Sequence, residues 1–148
     1  MPANPPPNMP RITPYLYYED VAGALDWLTR AFGFRERMRI PGPEGKIAHA
    51  EMELADGVIM MGHPGPEYRN PKRLGQTTQN VYVYVDGVDE HFRRAKQAGA
   101  KILHEPQDQF YGDRRYGVED AEGHQWYFAQ HVHDVAPEDL KRLAQQQH

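Results

Sequence analysis

The sequence predicts an α+β fold built from two tandem βαβββ units, and two observations predict it. Runs with strand and helix periodicity follow the order strand, helix, strand, strand, strand, and that order occurs twice. Three landmarks also recur at one spacing: 86 − 20, 99 − 33 and 123 − 57 all equal 66, relating Asp20 to Asp86, Gly33 to Gly99 and Gly57 to Gly123.

Each element has a local reason. The Pro-rich residues 1–10 can form neither ladder nor helix and are expected to be a disordered arm. RITPYLYY is β-branched and aromatic and reads as a strand. Asp20 then caps the helix VAGALDWLTRAF, whose Val21, Leu25, Leu28 and Phe32 share one face before Gly33 stops it. FRERMRI, KIAHAEMEL and GVIMMGH are strands separated by the turn residues of PGPEG and ADG. In the second unit NVYVYV is a strand, DGVDEHFRRAKQAGA a helix with Val88, Phe92 and Ala95 on one face, and KILHEP, RRYGVED and HQWYFAQH are strands. The units span about residues 11–63 and 79–133 of a single domain, 11–133, and the long polar loop between them could be a linker, a lid or a dimer arm. Residues 134–148 read as a C-terminal helix and tail. Arg35, Arg37 and Arg39 alternate along FRERMRI and could form an anion site, but the charges that guard an edge strand explain them better.

Composition narrows the function. The 148 residues suit one domain with a real core. A net charge of −4 and a pI near 6.0 argue against a nucleic-acid partner. Cysteine is missing, so thiolate chemistry is excluded. No apolar run reaches membrane-spanning length, and the first residues lack the charged and apolar regions of a signal peptide. The expectation is a cytoplasmic protein.

The two units, the AFGF that ends the first helix and the DAEGHQW that announces the last strand resemble the vicinal oxygen chelate superfamily of glyoxalases, extradiol dioxygenases, fosfomycin-modifying enzymes and bleomycin-resistance proteins. The resemblance covers roughly residues 11–133 and implies two curved sheets, each half of a cup, and a homodimer. It also implies metal ligands on the first and last strands of each unit, at positions that carry over to Thr13, Met61, Asn80 and Tyr127. A hydroxyl, a thioether, an amide and a neutral phenol are a poor set for a hard divalent cation, so no metal or other cofactor is expected there. His49 and Glu51 on one strand, with His63 on the next, match a displaced facial triad in residue type.

Strand alternation offers a different site. It directs Tyr15 and Tyr17, His49 and Glu51, Met61 and His63, Asn80, Tyr82 and Tyr84, and Gln125 and Tyr127 to the cavity faces. Trp126 and Phe128 take the opposite, helix-packed face with His124. Aromatic walls with polar tips suit a planar small-molecule ligand; half-buried interface strands would give the same pattern. Two functions follow. One is a metal-free small-molecule-binding protein of the bleomycin-resistance type, holding an aromatic metabolite or antibiotic. The other is a metal-dependent lyase, isomerase or dioxygenase that uses the displaced His/Glu site, with Glu51 or Tyr127 as acid/base.

Overall fold

In the computed structural model, which describes residues 2–147, each repeat forms one four-stranded sheet that carries one helix. The first repeat runs β1 (Tyr15–Tyr17), α1 (Val21–Phe32), β2 (Arg35–Pro41), β3 (Ile47–Leu54) and β4 (Gly57–Gly62). Its sheet order is β1-β4-β3-β2, with β1 parallel to β4 and the other pairs antiparallel. A linker with one short helix, α2 (Pro71–Leu74), leads to β5 (Asn80–Tyr84), α3 (Val88–Gln97), β6 (Lys101–Asp108), β7 (Asp113–Glu119) and β8 (Gln125–His131). The second sheet repeats the pattern as β5-β8-β7-β6. A last helix, α4 (Pro137–Gln145), follows.

The two units share one core. Leu16, Leu25, Leu28 and Phe32 of the first unit and Val88, Tyr116, Trp126 and Phe128 of the second belong to one buried cluster. Phe32 crosses the seam, its ring centroid 4.6 Å from Phe128 and 5.5 Å from Trp126. Each such ring, fully withdrawn from water, contributes about 2 kcal/mol. Polar contacts tie the same seam. His91 of α3 donates from Nε2 to the Phe32 carbonyl at 2.8 Å, and its Nδ1 accepts from the Tyr116 hydroxyl at 2.6 Å. The Arg94 guanidinium reaches the carbonyls of Thr29 and Arg30, so α3 caps the C-terminus of α1. Because both sheets press their helix-bearing faces into this common core, the opposite faces turn away from it.

A second polar knot joins the β7–β8 turn to the start of α1. Asp120, buried, accepts from the Tyr18 hydroxyl at 2.6 Å, from Trp126 Nε1 at 3.1 Å and from the backbone of Glu122 and His124 at 3.0 Å. Glu122 accepts from the backbone N–H groups of Glu19 and Asp20 and from the Asn70 side chain.

Element order, the shared core face of Trp126 and Phe128, and the charged edge strand β2 are as the sequence predicts. Three details differ. Asp20 caps α1 through Gly23 N–H at 3.0 Å, but its counterpart Asp86 does not cap α3; Gly87 holds that place, and the Gln130 side chain takes the Val88 N–H. Gly57 and Gly123 are not equivalent. Gly57 is already in β4, opposite Leu54 across a two-residue turn, whereas Gly123 lies inside a longer turn with φ +93°, where a side chain would strike the Lys72 backbone.

The third difference is one of register. Tyr15 pairs with Met60 and Tyr82 with Tyr127, so the strands repeat at 82 − 15 = 127 − 60 = 67, one more than the landmarks suggest. Met61 is therefore not a cavity residue. It pairs across β1 with Leu16 and is completely buried in the core, and Met60 takes the place on the tyrosine face. A one-residue slip moves a side chain to the other face.

Candidate ligand-binding faces

The first face is held by a hydrogen-bonded chain. Glu51 and His49 stand two residues apart on β3, hence on the same side, and Glu51 Oε2 lies 3.1 Å from His49 Nε2. A carboxylate only accepts, so Nε2 carries the proton, and Nδ1 accepts from the Tyr15 hydroxyl at 2.9 Å. Partial burial, with the nearby Tyr17 and Glu51, pushes the Tyr15 phenol above its ordinary range and keeps it protonated. Tyr17 meets Tyr15 edge-to-face at 5.8 Å. Both rings remain open, 44 % and 48 % exposed. His63 does not join this chain. Its Nδ1 accepts from the Gly65 N–H, and it shares a smaller hollow with Tyr15, Tyr17 and Pro64.

The second face is held by a carboxylate that sequence reasoning missed. Asp113, only 2 % exposed, accepts from Tyr82 at 2.8 Å, Tyr84 at 2.9 Å and His131 Nδ1 at 2.7 Å. Burial raises its pKa, but the hydrogen bonds from His131, Tyr82 and Tyr84 outweigh that effect and hold it below the ordinary value. His131 also donates from Nε2 to Asp134, and its two carboxylate partners raise its pKa. Asp113 follows the turn-like FYG, which reads as loop; the signal for it was its place directly across from His131 on β8. Tyr127 is held differently. Arg115 lies over its ring at 4.9 Å and His104 stacks on it at 6.1 Å, while Gly117 leaves room for the ring where a side chain would come within 2.7 Å of it.

The two faces meet at one cleft of about 550 Å³, where β1 passes β5; Tyr15, Asn80, Tyr82 and Gln125 line it. Elsewhere they stay apart. Among the described residues no aromatic pair or side-chain hydrogen bond joins Tyr15 or Tyr17 to Tyr82 or Tyr84.

A model of the Glyoxalase/Bleomycin resistance protein/Dioxygenase superfamily matches residues 9–128. The chain belongs to that superfamily. An uncharacterised protein of Mycobacterium bovis is 34 % identical over 137 residues, covering 89 % of this chain and 90 % of that protein. TioX from Micromonospora sp. ML1 has a similar structure, with 41 % identity, a TM-score of 0.69, and coverage of 83 % of this chain and 99 % of TioX. The fosfomycin resistance protein FosX of Listeria monocytogenes shares the fold at 16 % identity and a TM-score of 0.60, over 88 % of this chain and 96 % of its own.

The positions at which metal-dependent superfamily members bind their ion do not fit one here. Met61 is sealed in the core, Thr13 precedes β1 and turns to the Pro10 carbonyl, and Tyr127 lies beneath the positive guanidinium of Arg115. Met60, which takes the place of Met61, offers only a thioether. The displaced triad is not assembled either: among the described residues no three His, Asp or Glu side chains form a group that could hold a metal. Among the described residues no helix is long and apolar enough to cross a membrane.

Proposed function

We propose that this superfamily member binds a planar aromatic small molecule, a metabolite or an antibiotic, by stacking it on its tyrosine faces, and that it sequesters this ligand as a cytoplasmic homodimer without a catalytic metal. One observation carries the reading. Tyr15, Tyr17, Tyr82 and Tyr84 keep 37–59 % of their surface open although all four sit on regular strands. Open aromatic surface of this kind gains when a ring covers it. His49, Glu51, Asn80, Gln125 and Tyr127 supply polar contacts around these rings, with Met60 in place of Met61. The exposed aromatic surface of the outward faces supports the homodimer, in which a second copy of the chain would cover part of it.

Calorimetric screening of aromatic dyes and antibiotics tests the binding. Tyr15→Ala or Tyr82→Ala is expected to weaken a bound aromatic ligand more than about tenfold, because both burial and stacking are lost. If alanine variants of Tyr15, Tyr17, Tyr82 and Tyr84 all keep wild-type affinity, the tyrosines belong to the fold alone. Light scattering that reports only monomer would remove the dimer. One equivalent of a divalent metal in the purified protein, lost on His49→Ala or His63→Ala, would replace binding with the metal-dependent enzymatic reading.

A further inference from the structure

The second face carries a buried carboxylate, Asp113, bonded to the hydroxyls of two of its aromatic rings. Tyr82 and Tyr84 meet at 5.6 Å and 67°, so their faces form a corner rather than a stack. The Tyr111 hydroxyl stands 3.4 Å from that of Tyr82 and brings a third phenol to the same place. We propose that Tyr82, Tyr84 and Tyr111 form a recognition corner for an organic cation, an N-alkylated aromatic or quaternary ammonium, and that Asp113 is the positioning residue that sets its selectivity. This inference rests on the aromatic-binding reading and names the ligand class within it.

Three physical facts support the choice. First, the Tyr82 and Tyr84 hydroxyls both donate to Asp113, so their protons are spent. What these two residues offer a ligand is ring faces and oxygen lone pairs, which attract positive charge and repel an anion. Second, a phenol bonded to a carboxylate passes electron density into its ring and strengthens the negative face that holds a cation. Third, the hydrogen-bonded group that anchors the corner is itself negative on balance: the carboxylates of Asp113 and Asp134 bracket one imidazole, His131. Even protonated, His131 offsets only one of the two. The same sheet face already holds a cation on a ring, the guanidinium of Arg115 on Tyr127. The first face lacks this arrangement, since the Tyr15 hydroxyl meets an imidazole nitrogen and not a carboxylate.

A matched pair of probes tests the proposal: N-methylacridinium, which is permanently charged, and acridine in alkaline buffer, where it is neutral. Calorimetry on the wild-type protein is expected to show the cation bound about tenfold more tightly. Asp113→Asn keeps the size of the side chain but removes its charge. Tyr84→Phe keeps the ring, changes an exposed position and frees it from Asp113. Each should reduce the cation-to-neutral preference about threefold or more. A merely structural role would weaken both probes alike and keep their ratio. Equal affinity for the two probes in the wild type, or an unchanged ratio in both variants, overturns the cation corner and leaves aromatic binding standing. Binding of neither probe overturns both.

Discussion

Tyr15 and Tyr17 on one face and Tyr82 and Tyr84 on the other occupy the same strand positions, yet they are anchored by opposite means. In the first pair Tyr15 leans on His49 and Glu51, neighbours along one strand and within reach of solvent, and Tyr17 rests edge-to-face on Tyr15. The second pair leans on a carboxylate buried two strands away. The turns differ in the same sense. The β3–β4 turn is two exposed residues, Ala55 and Asp56, whereas the β7–β8 turn is a buried knot around Asp120. A repeated backbone therefore presents tyrosines symmetrically, while the polar groups that anchor the second unit are the more deeply buried.

The largest break in this comparison should come at the turns. Asp120→Ala leaves the Tyr18 hydroxyl and the Trp126 indole N–H buried without a partner and should cost about 3 kcal/mol in urea unfolding. Asp56→Ala, at the exposed turn of the first unit, should stay within about 0.5 kcal/mol. Equal effects would erase the asymmetry.

Next in size is the seam that joins the halves. His91→Ala removes both hydrogen bonds of a half-buried imidazole and should cost about 2 kcal/mol. Burial, with the nearby Arg94, lowers the His91 pKa below 6.5 against the Phe32 hydrogen bond, which raises it. Its contribution is thus complete above pH 6.5 and is lost as the pH falls from there through the lowered folded-state value. His131 has the opposite sign: its raised pKa makes its contribution complete below 6.5 and lost as the pH rises through the folded-state value. Unfolding midpoints of His91→Gln and His131→Asn between pH 5 and 8 should therefore change slope in opposite directions. Parallel slopes would contradict these assignments.

The smallest effects sharpen the contrast between the tyrosine pairs. Tyr84→Phe loses a hydrogen bond to a charged acceptor and should cost at most about 1 kcal/mol at its exposed position. Among the described residues the Tyr17 hydroxyl makes no hydrogen bond, so Tyr17→Phe should be neutral within about 0.5 kcal/mol. Thermal melts of the two variants, compared at one pH, check the order.

Residue pattern alone determined the duplicated strand–helix–strand–strand–strand order, the core faces of α1 and β8, and the direction of the four tyrosines. These depend on period-2 and period-3.6 alternation, caps and turn residues, all written locally. Tertiary structure decided the rest. The one-residue difference between the repeats, which buries Met61 and leaves Met60 half-buried on the tyrosine face, shows only once the strands pair. Asp113 became a site residue because pairing sets it against His131 and within reach of two tyrosines about thirty positions earlier in the chain. His63 and Glu51, matched in type, did not meet because a side chain's direction at the end of a strand follows its local hydrogen bonds, here to Gly65. Alternation sets the face a residue occupies; the charge that lies behind it depends on long-range contacts that no local pattern encodes.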